Sequence, residues 1–281
     1  MAERKNPKTG KRAPKRALCV GINDYPYDGS DLNGCVNDAK AWAELLTGHF
    51  GFAATDVKLL LDKDATRNNI LNSLEDLLAE AKPGDTLVFT NSSHGSYVVN
   101  KDGDEDAYDE VLCPYDIQDN HIVDDDLRKR IARLPDGVKL TIILDNCFSG
   151  TATRAPLFDI IPGLRTPDDR RIRFLSPALR GLPVLENPWR AKPSTRIRYP
   201  ESSMKEVLLS GCTDKEYSYD AFFGGKYHGA MTYYSISAIQ QSDYKLTYSQ
   251  LHSRLCHLIC DYPQHPQLEG KKENKRLQIF D

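Results

Sequence analysis

Short apolar runs alternate with amphipathic segments between residues 17 and 144, and that alternation restricts the chain to an α/β layer fold. Ala17–Ile22, Val57–Leu61, Thr86–Phe89 and Thr141–Leu144 are short and rich in β-branched or aromatic residues, so they read as buried strands. Between the first two, Val36–Leu46 spaces Ala39, Trp42, Ala43 and Leu46 at helical intervals. After the second, Thr66 is an N-cap for a helix whose stripe is Ile70, Leu74, Leu77 and Leu78, and Pro83-Gly84 stops it. The β-α-β-α-β order predicts a three-layer α/β sandwich: a mostly parallel central sheet with right-handed crossovers and helices on both faces.

The later chain is less regular. Asp124–Arg133 reads as a helix, while residues 151–203 hold half of the prolines and many arginines and read as a linker or insertion. Glu206–Ser210 predicts a strand, Met231–Gln241 and Tyr248–Asp261 predict helices, and Lys275–Phe280 predicts a last strand. The domain expectation is a basic disordered tail over 1–15 and a single domain over 16–281. That domain divides into 16–150, the linker 151–203, and 204–281.

At 281 residues the chain can bury a sizeable core. Its net charge of −3 hides an asymmetry, because Arg4, Lys5, Lys8, Lys11, Arg12, Lys15 and Arg16 face only Glu3 at the start. The rest of the chain is therefore more acidic than the total, which suits cationic substrates. No folded basic face points to nucleic acid, and no apolar stretch is long enough for a membrane span. Seven cysteines, an odd number, with no signal-peptide core lead to the expectation of free thiols in a reducing cytoplasm. Cys19 and Cys212 read as buried fillers, and His252, Cys256 and Cys260 as one packed helix face.

Two strand ends carry the chemistry. Ser92-Ser93-His94-Gly95 follows one inner strand and Asp145-Asn146-Cys147 closes another. Ligands of open α/β sheets bind at this carboxyl edge, and neighbouring strands lie about 4.8 Å apart. A thiol and an imidazole facing one substrate there suggest nucleophilic acyl transfer. Cys147 is the nucleophile candidate, since Asp, Asn, Ser and Gly surround it rather than a hydrocarbon run. His94 is the acid–base candidate, donating a proton to the leaving amine and then activating water. Asp38 and Asp145 come to the same edge and together suit a guanidinium or ammonium, which predicts substrates with Arg or Lys before the scissile bond. The acidic loops, with Asp102, Asp104, Glu105, Asp106, Asp109 and Glu110, then Asp124, Asp125 and Asp126, allow a calcium site without EF-hand spacing.

These motifs resemble the metacaspase and orthocaspase branch of the caspase-fold cysteine peptidases. Further matches are Leu32-Asn33-Gly34-Cys35-Val36-Asn37-Asp38-Ala39, Asp109-Glu110-Val111-Leu112, Ile122-Val123-Asp124-Asp125-Asp126-Leu127, Val207–Asp214 and His228-Gly229-Ala230-Met231-Thr232-Tyr233. The resemblance covers residues 16–150 and 204–281, as large-subunit-like and small-subunit-like portions. It implies a Cys147–His94 dyad and an oxyanion hole from the backbone of Gly95 and Cys147. It also implies a pocket for basic residues around Asp38 and Asp145 walled by Cys35 and Ser92. No cofactor is needed for that chemistry. Calcium, where relatives use it, falls to acids matching Asp109, Asp124 and Asp125, although Thr151-Ala152-Thr153-Arg154 lacks the further carboxylate. Relatives cut themselves after basic residues, which makes Arg154, Arg165, Arg170, Arg171, Arg173 and Arg180 candidates.

The leading expectation is a monomeric cytosolic endopeptidase acting on proteins or peptides after Arg or Lys, with self-cleavage in the linker. The alternatives are a catalytically silent caspase-like scaffold that binds partners, and a metal-dependent hydrolase built on the acidic loops.

Overall fold

The computed structural model describes residues 13–99, 108–118, 120–147, 170–184, 200–213 and 216–281. The basic tail through residue 12, the acids at 102–106, the Ser149-Gly150 turn, Arg154 and Arg165 lie outside the described residues.

One six-stranded sheet organises the molecule. It contains β1 (Lys15–Gly21), β2 (Val57–Leu61), β3 (Thr86–Ser92), β7 (Lys139–Asp145), β9 (Glu206–Ser210) and β12 (Gln267–Glu269), in the order β12-β9-β7-β3-β1-β2. All pairs are parallel except β12 with β9. Successive residues of the inner strands serve opposite faces. Cys19, Val88 and Ile143 join a core with α1 (Cys35–His49), α4 (Ala230–Gln240) and α5 (Tyr248–Leu258). Leu18, Leu87, Phe89 and Ile142 join a core with α2 (Arg67–Leu78) and α3 (Asp124–Ile131). Both faces are therefore covered, which is why these strands read as nearly unbroken apolar runs. The fold is the expected α/β sandwich. Thr66 caps α2 as its sequence predicted, its hydroxyl accepting from the Asn69 N–H at 3.3 Å.

Two small antiparallel sheets stand at the carboxyl edge. One is β4 (Gly95–Val99), β5 (Tyr108–Leu112) and β6 (Ile122–Val123), in the region of the acidic loops, where the sequence predicted no strand. The other is β8 (Arg171–Ile172), β10 (Tyr219–Phe223) and β11 (Lys226–Gly229). The β10–β11 hairpin turns through Gly224 and Gly225, both at positive φ, a two-residue loop that only glycine enters without strain.

The expected last strand is absent. Lys272–Lys275 forms one helical turn, α6, and only Gln278 makes a bridge, to Thr247. Phe280 then turns at φ 56°, so consecutive Ile279 and Phe280 both enter the core, with Phe280 edge-on to Trp42, Phe50 and Tyr248. A plug of two adjacent apolar residues outweighs a half-buried edge strand. The closing strand is instead the three-residue β12. Among the described residues no helix is long and apolar enough to cross a membrane.

Candidate active site

Strands β3 and β7 are neighbours and pair Ser92 with Asp145, so the loops after them touch. A Cβ on Gly95 would overlap the carbonyl of Cys147, and the close approach of the two tips therefore requires glycine there. His94 and Cys147, the two candidates, come to adjoining strand ends of one sheet edge.

His94 is held on several sides. Its Nε2 lies 2.6 Å from the Ser30 carbonyl, an acceptor, so Nε2 carries the hydrogen. That leaves Nδ1 as the lone-pair nitrogen, and it is buried without a hydrogen-bond partner among the described residues. The Tyr25 ring packs 4.7 Å from the imidazole, and its hydroxyl accepts the His94 backbone N–H at 3.0 Å. Burial pulls the imidazole down to about 4, against the carbonyls of Ser30 and Arg173, while the Arg173 charge adds to the lowering. His94 is therefore neutral at pH 7.

That depression has a measurable consequence. The unfolded imidazole takes up its proton near its ordinary 6.5, whereas the folded one waits until about 4. Stability present at neutral pH is consequently lost as pH falls through that window, by about 3 kcal/mol from this group. Denaturant titration at pH 7 and pH 4.5 should show a smaller acid loss in His94→Gln than in wild type. Equal losses in both proteins would remove His94 as the cause.

Cys147 is fully buried and belongs to the same apolar cluster as Tyr97, Phe174 and Tyr217, although its sequence neighbours are polar. The Ser218 N–H donates to its Sγ at 2.6 Å, and the Ser218 carbonyl lies 3.4 Å from the sulfur. No hydrogen bond joins Cys147 to His94.

Residues 170–175, from the stretch read as a linker, run through this edge. β8 pairs antiparallel with β10, Ile172 opposite Tyr219 and Arg171 opposite Asp220. The Arg173 N–H donates to the Ser218 carbonyl at 2.9 Å. The Arg173 carbonyl accepts from the N–H groups of both Gly95 (2.9 Å) and Cys147 (3.2 Å). The Leu175 N–H then donates to the Gly95 carbonyl at 2.9 Å. Two backbone donors converging on one carbonyl oxygen form the kind of nest that stabilises a developing oxyanion.

The Arg173 guanidinium is wholly buried among three carboxylates. Its Nη2 donates to Asp38 Oδ2 at 2.7 Å and Asp220 Oδ1 at 3.0 Å. Nη1 lies 3.3 Å from Asp145 Oδ2 and donates to the Asp145 carbonyl at 3.0 Å. Each acid is fixed in turn. Asp38 on α1 accepts from His228 Nδ1 at 2.9 Å and from the Gly229 N–H. Asp145 accepts from the Thr232 N–H and hydroxyl in the first turn of α4, at 2.9 and 2.8 Å, and from the Ser218 hydroxyl. Asp220 on β10 accepts from the N–H groups of Asn33 (2.7 Å) and Gly34 (2.9 Å). Burial raises the Asp220 carboxyl, with Arg173 opposing it. Burial works against the Arg173 charge, but its anionic surroundings outweigh that and raise its pKa. A cavity so built accepts a planar cation with several donors.

The sequence-predicted residues Cys147, His94, Gly95, Asp38 and Asp145 thus meet at one edge. Cys35, buried at the start of α1, feels the Arg173 charge, although burial dominates and raises its thiol. Ser92 sits opposite Asp145 in the sheet but takes none of the Arg173 hydrogen bonds. Sequence reasoning missed Asp220, Ser218, Ser30 and His228. Asp220 left one signal, an acid between Tyr219 and Ala221 in a run that reads as a strand. Cys212 is a further correction. It is only part-buried, beyond β9, and its thiol, raised first by its hydrogen bond with Cys147, belongs to the site's surroundings rather than to the core. Cys256 and Cys260 are exposed, not a packed face.

Among the described residues, the acids named for calcium form no group of three that could hold a cation. Asp124 pairs with Arg128, and Asp125 with Arg128 (3.8 Å) and Lys129 (3.5 Å), in the first turn of α3. Asp109 lies on β5, and among the described residues no three His, Cys, Asp or Glu gather as a metal would require.

Known proteins share both the sequence and the backbone. Residues 15–156 match the family described as metacaspase, peptidase C14 domain. Metacaspase-1 of Scheffersomyces stipitis is 34% identical over 282 residues, covering 90% of this chain and 70% of that protein. Metacaspase-1A of Aspergillus fumigatus is 34% identical over 287 residues, covering 92% and 68%. Among solved structures, a Geobacter sulfurreducens protein superposes with TM-score 0.70 at 23% identity, covering 95% of this chain and 98% of that one. Caspase-1 from Spodoptera frugiperda superposes with TM-score 0.57 at 11% identity, covering 96% and 92%. With the sequence match spanning half its length and fungal relatives aligned over nine-tenths of it, the chain belongs to the metacaspase family of caspase-fold cysteine peptidases.

Proposed function

We propose that this chain is an endopeptidase that cuts after Arg or Lys with Cys147 as nucleophile and His94 as acid–base, and that it cuts itself between Arg173 and Phe174. The arrangement of Arg173 carries the reading. Its guanidinium fills the acidic cavity while its carbonyl oxygen takes both backbone donors beside the thiol. One residue thus occupies a side-chain pocket and an oxyanion nest together, which is what a bound substrate must do before acyl transfer.

In this mechanism the Cys147 sulfur adds to the carbonyl carbon, and its proton passes to the neutral His94 Nδ1. Negative charge on the oxygen is held by the N–H groups of Gly95 and Cys147. The imidazolium returns the proton to the leaving amine, and a thioester remains on Cys147. Water, deprotonated by His94, then hydrolyses that thioester. Ser30 fixes the tautomer through Nε2, and Tyr25 holds the ring plane. Asp38, Asp145 and Asp220 select the cation.

The substrates are proteins or peptides with Arg or Lys at the cut. A monomer in a reducing compartment fits seven unpaired cysteines. Intact-mass spectrometry tests the self-cleavage. Purified wild type should yield fragments ending at Arg173 and beginning at Phe174, and Cys147→Ala should stay whole. Cutting that persists in Cys147→Ala, or that avoids Arg173 altogether, would refute it.

A further inference from the structure

Phe174, the residue immediately after the proposed cut, is as deliberately housed as Arg173. Its side chain is buried and stacks on the Tyr97 ring at 6.2 Å with 22° between the planes. The Tyr217 ring meets it edge-on at 6.1 Å. Tyr97 is backed by Tyr108 at 5.7 Å, so the wall is aromatic beyond its first layer. The backbone on this side is docked too. Phe174 bridges Gly95, the Leu175 N–H donates to the Gly95 carbonyl at 2.9 Å, and the Ser96 hydroxyl donates to the Leu175 carbonyl at 2.7 Å. The segment therefore lies against β4 as an added strand would, with main-chain bonds for affinity and a side-chain pocket for choice.

We propose that Tyr97 and Tyr217 form a subsite for an aromatic or large apolar residue immediately after the cut, so that preferred substrates carry Arg-Phe or Arg-Leu rather than a bare basic residue. The inference rests on the peptidase reading above and deepens it. Cleavage at Arg173 would free this subsite for substrate, because hydrolysis breaks the peptide bond that holds Phe174 in place and leaves an ammonium and a carboxylate in a buried site. Charged ends buried there are better solvated in water, which favours departure of the new N-terminus. The rings left behind recover their contacts only with another apolar side chain.

The test uses the full chain and internally quenched peptides Arg-Arg-Ile-Arg-X-Leu, with X as Phe, Leu, Gly or Asp, beside Arg-Arg-Ile-Arg-amidomethylcoumarin, which has no residue after the cut. Phe should exceed Gly in kcat/KM by about tenfold or more, with Asp lowest. Tyr217→Ala should shrink the Phe-to-Gly ratio to about twofold or less, and Tyr217→Phe, which keeps the ring, should restore it. Hydrolysis of the coumarin substrate together with a flat profile over X, or a preference for Gly or Asp, would overturn the subsite while leaving the peptidase intact. Failure to cut the coumarin substrate and all four peptides would overturn the peptidase reading and this inference with it. The X profile of wild type decides the matter even where Tyr217→Ala does not fold.

Discussion

Cys147→Ala is expected to lower kcat/KM on an Arg reporter peptide by at least about 10⁴-fold, to the background of the remaining machinery. The loss is this large because the thioester route disappears altogether. The oxyanion donors and the acidic pocket persist, but a methyl group cannot attack a carbonyl. The fold should survive. The alanine fills most of the same volume, and among the described residues the polar partners lost to the sulfur are the N–H and carbonyl of Ser218 and the Cys212 thiol. Circular dichroism and a melting curve close to wild type would separate loss of chemistry from loss of structure. The measurement is steady-state hydrolysis with enough enzyme to see a residual rate. Turnover surviving at a tenth of wild type would end the case for Cys147 as nucleophile, and would move attention to water activated elsewhere on the edge.

Asp145→Asn is expected to cost about 10²–10³-fold in kcat/KM for an Arg peptide, the loss from truncating one partner of a buried charge pair. A Gln peptide, already poor, should be left almost unchanged, so selectivity collapses more than general competence does. The reason lies in how completely Asp145 is committed. Its carboxylate takes the Arg173 guanidinium, the Thr232 N–H and hydroxyl, and the Ser218 hydroxyl, so an amide NH₂ at either oxygen position faces a donor. Arg and Gln peptides compared on both proteins give the result. Undiminished Arg preference in Asp145→Asn would show that Asp38 and Asp220 alone make the pocket, or that the pocket is not where substrate binds.

The elements that the sequence made legible are those whose signals are local. Thr86–Phe89 and Thr141–Leu144 announced themselves by β-branched, apolar composition, and the amphipathic stripes before and between them required a parallel sheet. His94 and Cys147 followed, because each stands a few residues beyond such a run. Asp220 did not, since its partners Asn33, Gly34 and Arg173 lie far along the chain and no spacing relates them. The β4–β5–β6 sheet was hidden among acids and turns, where short strands carry too few residues for a period to emerge. Lys275–Phe280 misled for the opposite reason, because its alternating pattern fitted a strand while the core wanted a plug.

By itself the sequence determined the sandwich, the edge at which a thiol and an imidazole meet, and the presence of two acids beside them. These follow from hydrophobic period and crossover handedness, which act over a few neighbouring residues. Only the tertiary structure decided which of the linker's many arginines enters the acidic cavity, that a third carboxylate joins from a hairpin, and that tyrosines wall the position after Arg173. Burial of a guanidinium is favourable only where several anions and donors converge on it in space. That convergence belongs to contacts between distant segments, so it exists once the chain has folded and not before.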